Sequence, residues 1–252
     1  MPKQDLTFRS AIVNSAGMLG FAPDPRKTPD YDRLGAFFTN PISLLPRSPA
    51  ETRCAIPFQG GVMLHSGFPN PGLNKVVSKY RRQWSISSIP VIPHLMVDDA
   101  QGMSAMLDIL EGLEGVAGIE VSFKPGCELQ MMAQVLRSAL TEWPVIAQLE
   151  IEQLQSLIPL IQESGLSAVS LVPKRGRLPF PGKDGDPQLV SGRLYGAALF
   201  PQDLADLEKA LDYGVPVIAS GGVTTSVQVE QMLKAGAFAV QVDTVLWGSG
   251  LD

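Results

Sequence analysis

Residues 215–250 read VPVIASGGVTTSVQVEQMLKAGAFAVQVDTVLWGSG, and the order of elements within them decides the fold. An apolar strand from Val217 to Ser220 runs into Gly221-Gly222. A helix follows, opened by the capping hydroxyls of Thr224, Thr225 and Ser226, carrying Val229, Met232 and Leu233 on one face, and stopped by Gly236. A second apolar strand, Ala237 to Val242, then leads into Asp243-Thr244, with Gly248 and Gly250 close behind. A strand ending in bare glycine before a helix leaves unpaired backbone N–H groups at a positive dipole end, where a phosphate can rest. Two such ends side by side predict a phosphate cup made by the last two strands of a (β/α)8 barrel. The other reading of these glycines is that they only permit tight turns.

Working back along the chain, short β-branched runs recur at 11–14, 36–39, 91–95, 118–122, 145–149 and 168–172, with helical segments between them. That alternation predicts parallel βαβ units, and with the two terminal strands the count reaches eight. An open doubly wound sheet would carry its glycine turn after the first strand, whereas here the glycine turns come last. Between strands, Met103, Met106, Leu107 and Leu110, and then Met132, Val135, Leu136 and Leu140, fall at helical spacing and read as core packing. The 252 residues, 45% of them hydrophobic, suit one barrel domain spanning 1–252.

A net charge of −5 gives no broad basic surface for nucleic acid, and the basic runs 79–82 and 174–177 read as solvated faces. Two cysteines, Cys54 and Cys127, make no disulfide framework, and two histidines, His65 and His94, are too few for a His-rich metal site. The opening MPKQDLTFRS has no apolar core of a signal peptide, and no apolar run is long enough to span a bilayer. These features predict a soluble, cytoplasmic protein that meets no membrane and takes a small molecule as its partner. Esterase elbow, P-loop and zincin motifs are absent from the sequence. Two proline- and glycine-rich stretches, 41–75 and 173–196, interrupt the rhythm after the second and sixth strands. Long loops in a compact domain form lids or binding surfaces, and loops that follow barrel strands rise from the C-terminal face.

Several ordered pieces resemble the flavin-mononucleotide-dependent dihydroorotate dehydrogenases and their FMN barrel relatives. IVNSAG at 12–17 is similar to that family's first strand and small-residue turn, and FFTNPISLLPR at 37–47 to its second strand and the segment after it. MLHSGFPNPG at 63–72 resembles the substrate loop, SGRLYGAAL at 191–199 a glycine-rich run before the last strands, and 217–222 with 241–244 the paired phosphate-binding ends. The resemblance covers nearly the whole chain. It implies FMN as cofactor, held by Ser15, Ala16, Gly17, Thr39, Asn40, Gln148, Ser191, Gly192, Gly221, Gly222, Asp243 and Thr244. It implies a substrate held by His65, Ser66, Gly67, Asn70 and Ser122, oxidation of dihydroorotate or a related molecule, a place in pyrimidine biosynthesis, and a homodimer.

The chain departs from the family's pattern at its redox end. GIEVSFKPGCE at 118–128 lacks the family's Asn-x-Ser-Cys-Pro-Asn, which leaves Lys124 and Cys127 as candidate bases; Cys127, following Gly126 before a helix, could have a lowered pKa. Asn40 and Gln148 stand where the family has lysines, and Val172-Pro173 where it has Asn-Thr. Losing a cation beside the flavin is expected to weaken its reduction. The alternative to an FMN oxidoreductase is therefore a barrel that keeps a phosphate or FMN site for binding or regulation. A barrel enzyme acting on a phosphorylated sugar shares the cup but lacks the needed strand-end carboxylates and lysines. Glu120, an acid in an apolar strand, either points inward and needs a partner such as Lys124 or Gln148, or points outward as a plain surface charge. His94 could point into the barrel mouth, Asn14 could meet the ring or the substrate, and Asp98-Asp99 read as helix N-terminal charge.

Overall fold

The computed structural model describes residues 5–51, 54–140, 143–181 and 186–252. The start of the N-terminal segment, and positions 52–53 and 182–185 of the two long stretches, lie outside the described residues. The predicted strands form at Ile12–Asn14, Phe37–Phe38, Val91–Ile92 with His94–Val97, Ile119–Phe123, Val145–Leu149, Ala168–Leu171, Val217–Ser220 and Ala239–Val242. Neighbouring strands pair in parallel except the first and second, and the last returns to the first through Ile12↔Val240 and Asn14↔Val242. Pro93 divides the third strand, because proline offers no N–H to a ladder. The part before it pairs with Phe37–Phe38, and the part after it with Ile119–Phe123. The resulting α/β fold is a curled parallel sheet of the TIM-barrel type, wrapped by helices.

The seam between the first two strands is closed by a side chain. Asn14 donates through Nδ2 to the Phe38 carbonyl at 2.7 Å and accepts the Phe38 N–H at 2.9 Å, reproducing a peptide's pair of hydrogen bonds. Its amide, which could have met the ring or the substrate, has these architectural partners. Removing it would leave two buried backbone groups unpaired, at about 1–3 kcal/mol each.

Six helices cover the outside: α1 (Leu73–Ser85), α2 (Ala100–Leu110), α3 (Leu129–Ser138), α4 (Ile151–Ser164), α5 (Phe200–Leu211) and α6 (Ser226–Ala235). The Asp99 carboxylate caps α2 by accepting from Gly102 N, while Met103, Met106 and Leu110 turn inward. On α6, Thr225 and Gln228 form a reciprocal cap, and Gly236 at φ 118° ends the helix where a Cβ would be strained.

Strand periodicity sorts the barrel interior into layers. Val13, Phe38, Ile92, Ile146, Ala168, Ile218 and Ala239 form an apolar cluster inside the sheet, distinct from the larger core beneath the helices. Two residues further along the strands, the same inward face carries Ser122, Gln148, Ser170, Ser220 and Gln241, all buried. The polar layer therefore lies at the C-terminal mouth.

The two long stretches are not structureless. Cys54–Phe58 and Gly61–His65 form one hairpin, Arg175–Pro181 and Pro187–Tyr195 another, and they join into a four-stranded antiparallel sheet through Arg193↔Leu64 and Tyr195↔Val62. Prolines 57, 179 and 181 sit on the outer strands, which tolerate a missing N–H. Close approach needs glycine at the junction: a Cβ on Gly192 would stand 2.5 Å from the Leu64 carbonyl oxygen. Two segments more than a hundred residues apart thus make a single lid.

Candidate functional site

At the mouth, three side chains from adjacent strands make a continuous chain. Glu120 faces inward with no exposed surface, and its partners are neither Lys124 nor Gln148. His94 Nδ1 meets Glu120 Oε2 at 2.5 Å, and His94 Nε2 meets Ser122 Oγ at 2.7 Å. Ser170 Oγ donates to Glu120 Oε1 at 2.5 Å, and Gln241 Nε2 donates to the same oxygen at 3.1 Å. A carboxylate only accepts, so the network assigns the hydrogen on His94 to Nδ1 and leaves Nε2 to accept from the Ser122 hydroxyl. Serine, imidazole and carboxylate in this order are the parts of a proton relay.

Cations surround Ser122. Small cavities of about 30 and 50 Å³ on either side of it are lined between them by Lys124, Arg175, Arg193 and Arg47. Arg175, in the run expected to be a solvated face, is exposed and also lines both of these cavities. Arg193 faces Arg175 across the same lid hairpin, donates from Nη1 to Gln148 Oε1 at 3.3 Å, and lies 5.2 Å over the Phe68 ring. Its Nε is buried without a partner. Desolvation lowers its pKa most, and Arg175 adds to that, against the favourable fields of Tyr195, Glu120 and Glu150. A guanidinium does not lose its proton in such a place; it takes an anion.

Beside Arg193 opens a cavity of about 470 Å³, lined by Gly17, Asn40, Ser66, Phe68, Arg193 and Tyr195 among others. This is the size of a small-molecule or cofactor site. Burial pushes the Tyr195 phenol up to about 12, so it stays protonated at neutral pH. Of the other residues expected to hold a cofactor, Thr39 accepts the His94 N–H at 3.0 Å, Ser15 is buried with an unpartnered Oγ, and Ala16 packs against the barrel interior. Asn40 also accepts from Gly20 N at 2.9 Å.

Several expected substrate and cofactor residues have structural partners. Asn70 binds Ser43, Phe68 and Gly72 around its own loop. His65 Nδ1 meets the Ser191 carbonyl oxygen at 2.8 Å, and with Gly192 it fastens the two lid hairpins together. Gly67 passes 2.5 Å from Ala50 N at its would-be Cβ, and Ser66 Oγ accepts from Phe68 N. Cys127 does not have the lowered pKa expected of a base: burial raises it, with Lys124 opposing and Asp98 and Glu128 adding. Lys124 is exposed and pairs with Asp98 at 3.7 Å.

The glycine-ended strands also differ from the expected phosphate cup. A Cβ on Gly222 would collide with Phe200 N at 2.2 Å, and one on Gly221 with Asp203 Oδ2 at 2.1 Å, so these glycines let the start of α5 close on the strand end. Asp243 turns its own carboxylate back on Thr244, accepting both its backbone N–H and its hydroxyl, the latter at 2.9 Å. Burial raises the Asp243 pKa, and it pushes Asp203 up to about 7, with Lys174 opposing and Asp243 adding. Lys174 itself is ion-paired with Asp206. The carboxyl groups of Asp203 and Asp243 thus stand at the rim where the phosphate cup was expected.

Ser170, Gln241, Arg193, Asp203 and Tyr195 escaped the sequence reading. Ser170 and Gln241 carry a signal there, as polar residues at alternate positions of apolar strands. Arg193, Asp203 and Tyr195 have none, since each acts through docking of a distant segment. Among the described residues no group of three metal-ligating side chains forms, and no helix is long and apolar enough to cross a membrane.

Comparison with known proteins places these observations in context. No protein-family profile matches the chain. It is 26% identical over 263 aligned residues to the catalytic subunit of dihydroorotate dehydrogenase B (NAD(+)) from Maridesulfovibrio salexigens, covering 95% of this chain and 84% of that one. The Pelobacter propionicus subunit of the same name is 25% identical with the same coverage. Among solved structures, dihydroorotate dehydrogenase of Eimeria tenella in complex with ferulenol superposes with a TM-score of 0.74, covering 96% of this chain and 77% of that one at 14% identity.

Proposed function

As a divergent relative of the dihydroorotate dehydrogenases, this chain is, we propose, an oxidoreductase that removes a proton and a hydride from neighbouring carbons of a small carboxylate-bearing molecule. Dihydroorotate is the substrate that the kinship suggests, in a single-domain barrel working in pyrimidine biosynthesis. The observation that carries the reading is the Ser122–His94–Glu120 relay set beneath the cations Arg47, Lys124, Arg175 and Arg193.

Arg193, buried and stacked on Phe68, holds the substrate carboxylate and fixes its plane, with Arg175 and Arg47 as longer-range attraction. Ser122 Oγ takes the substrate proton as its own hydrogen passes to His94 Nε2. Glu120, hydrogen-bonded to Nδ1, orients the ring and stabilises the imidazolium. Ser170 and Gln241 hold the carboxylate still. The lid formed by the two hairpins excludes water from this exchange. Flavin, the cofactor class that the kinship suggests, supplies the hydride acceptor when bound. The test is anaerobic mixing of flavin-supplemented protein with dihydroorotate, following flavin bleaching and orotate formation. Turnover that falls on Ser122→Ala supports the reading; no bleaching with dihydroorotate or other small carboxylates rejects it.

A further inference from the structure

The rim after the seventh and eighth strands presents acceptors and hydroxyls where an anion would need donors. Asp203 Oδ2, Asp243 Oδ2, Ser220 Oγ and Ser15 Oγ are all buried and without partners. The residues that carry them are at most 5% exposed. The N–H and hydroxyl of Thr244, the donors best placed for a phosphate, already serve the Asp243 carboxylate. A Cβ on Gly221 would meet the Asp203 carboxyl and one on Gly222 the Phe200 backbone, so α5 packs close against this strand end. Lys174, the one nearby ammonium that acts on Asp203, is paired with Asp206.

We infer that this rim selects against phosphate and receives a neutral hydroxyl-bearing chain, so that a flavin held here is the unphosphorylated form. A buried carboxylate oxygen without a partner is satisfied by a hydroxyl donor and opposed by a second anion. The Ser220 and Ser15 hydroxyls donate or accept as the chain requires. Asp243 is the specificity-determining residue, because its side chain stands in for the anion and takes the donors away. Asp203 reinforces the exclusion from α5. The identity of the ligand as a flavin rests on the oxidoreductase reading, whereas the exclusion of phosphate stands on the rim alone.

The experiment separates the two. Flavin fluorescence quenching on the full-length protein gives dissociation constants for riboflavin and for FMN, and phosphorus NMR line broadening reports inorganic phosphate with no flavin present. Wild type should bind riboflavin at least tenfold more tightly than FMN and leave the phosphate line sharp. Asp243→Gly, which frees the Thr244 donors, should reverse the flavin preference and broaden the line. Asp243→Asn, which keeps size and cap while removing charge, should narrow the preference by about tenfold. Tenfold tighter FMN binding by wild type, or phosphate broadening equal in wild type and Asp243→Gly, overturns the inference. If no variant binds either flavin, the flavin reading falls and the phosphate arm still decides the rim.

Discussion

The two sides of the barrel mouth carry opposite charge, though strands of the same kind build both. Strands three to five, with the lid above them, gather Arg47, Lys124, Arg175 and Arg193 around a serine and an imidazole. Strands seven and eight, with the start of α5, gather Asp203 and Asp243 around unpartnered oxygens. The first side has buried positive charge that lacks an anion; the second has supplied its own. On the proposed reading, an anionic group of a ligand belongs at the relay and not at the glycine-ended strands. The difference shows that a strand-to-glycine turn makes an anion site only when its N–H groups are left free, which the neighbouring side chain decides.

The largest break of this contrast comes from the relay. Ser122→Ala and His94→Ala should each lower turnover of the proposed reaction by about 10²–10⁴-fold, the range of general-base catalysis, with substrate KM little changed. Because the two act as one unit, the double variant should be only slightly worse than either single one. Full additivity in steady-state kinetics would separate them. Next in size, Arg193→Leu should raise KM for a carboxylate substrate by about tenfold to a hundredfold, as for a charge-assisted hydrogen bond worth about 1.5–3 kcal/mol. Binding of an uncharged analogue should stay within threefold, which isolates charge from packing on Phe68.

On the acidic side the expected effect concerns stability. The Asp203 pKa is raised to about 7 in the fold, by burial first, with Asp243 adding and Lys174 opposing. The unfolded chain gives up this proton near 3.9. Between those values the folded state binds more protons, so stability falls as pH rises and the penalty is complete above about 7. Asp203→Asn removes it, and should raise stability at pH 8 by at most about 4 kcal/mol while leaving pH 4 almost unchanged. Thermal melts across that range check the slope; parallel curves for the two proteins would exclude Asp203 as its source. Smallest of all, Cys127→Ser should leave turnover within twofold, since burial with Asp98 and Glu128 outweighs Lys124 and raises the thiol pKa.

Much of the architecture was legible in the chain before folding. Alternation of short apolar strands with helical segments located all eight barrel strands, and the prolines and glycines of 41–75 and 173–196 marked the lid. The polar residues of the inner face were partly legible. Glu120 stood out as an acid in an apolar run, and His94 as one of two histidines. Their pairing was not, because a separation of 26 positions hides a contact set by strand register. Similarity of motif pointed to Asn70, His65 and Gly192 as ligand contacts, but the hydrogen bonds and close packing they make within their loops and the lid were not legible in it.

From its sequence alone this protein is bound to be a barrel with a polar mouth, since strand periodicity and inward polar residues are local properties that each segment carries with it. The charge at each point of that mouth was decided by tertiary structure. Arg193 reaches Gln148 across 45 residues of chain, and Asp203 meets Gly221 only because α5 docks on the strand end. Such contacts depend on how separate elements pack, and packing answers to volume and burial over the whole domain, which no short stretch encodes.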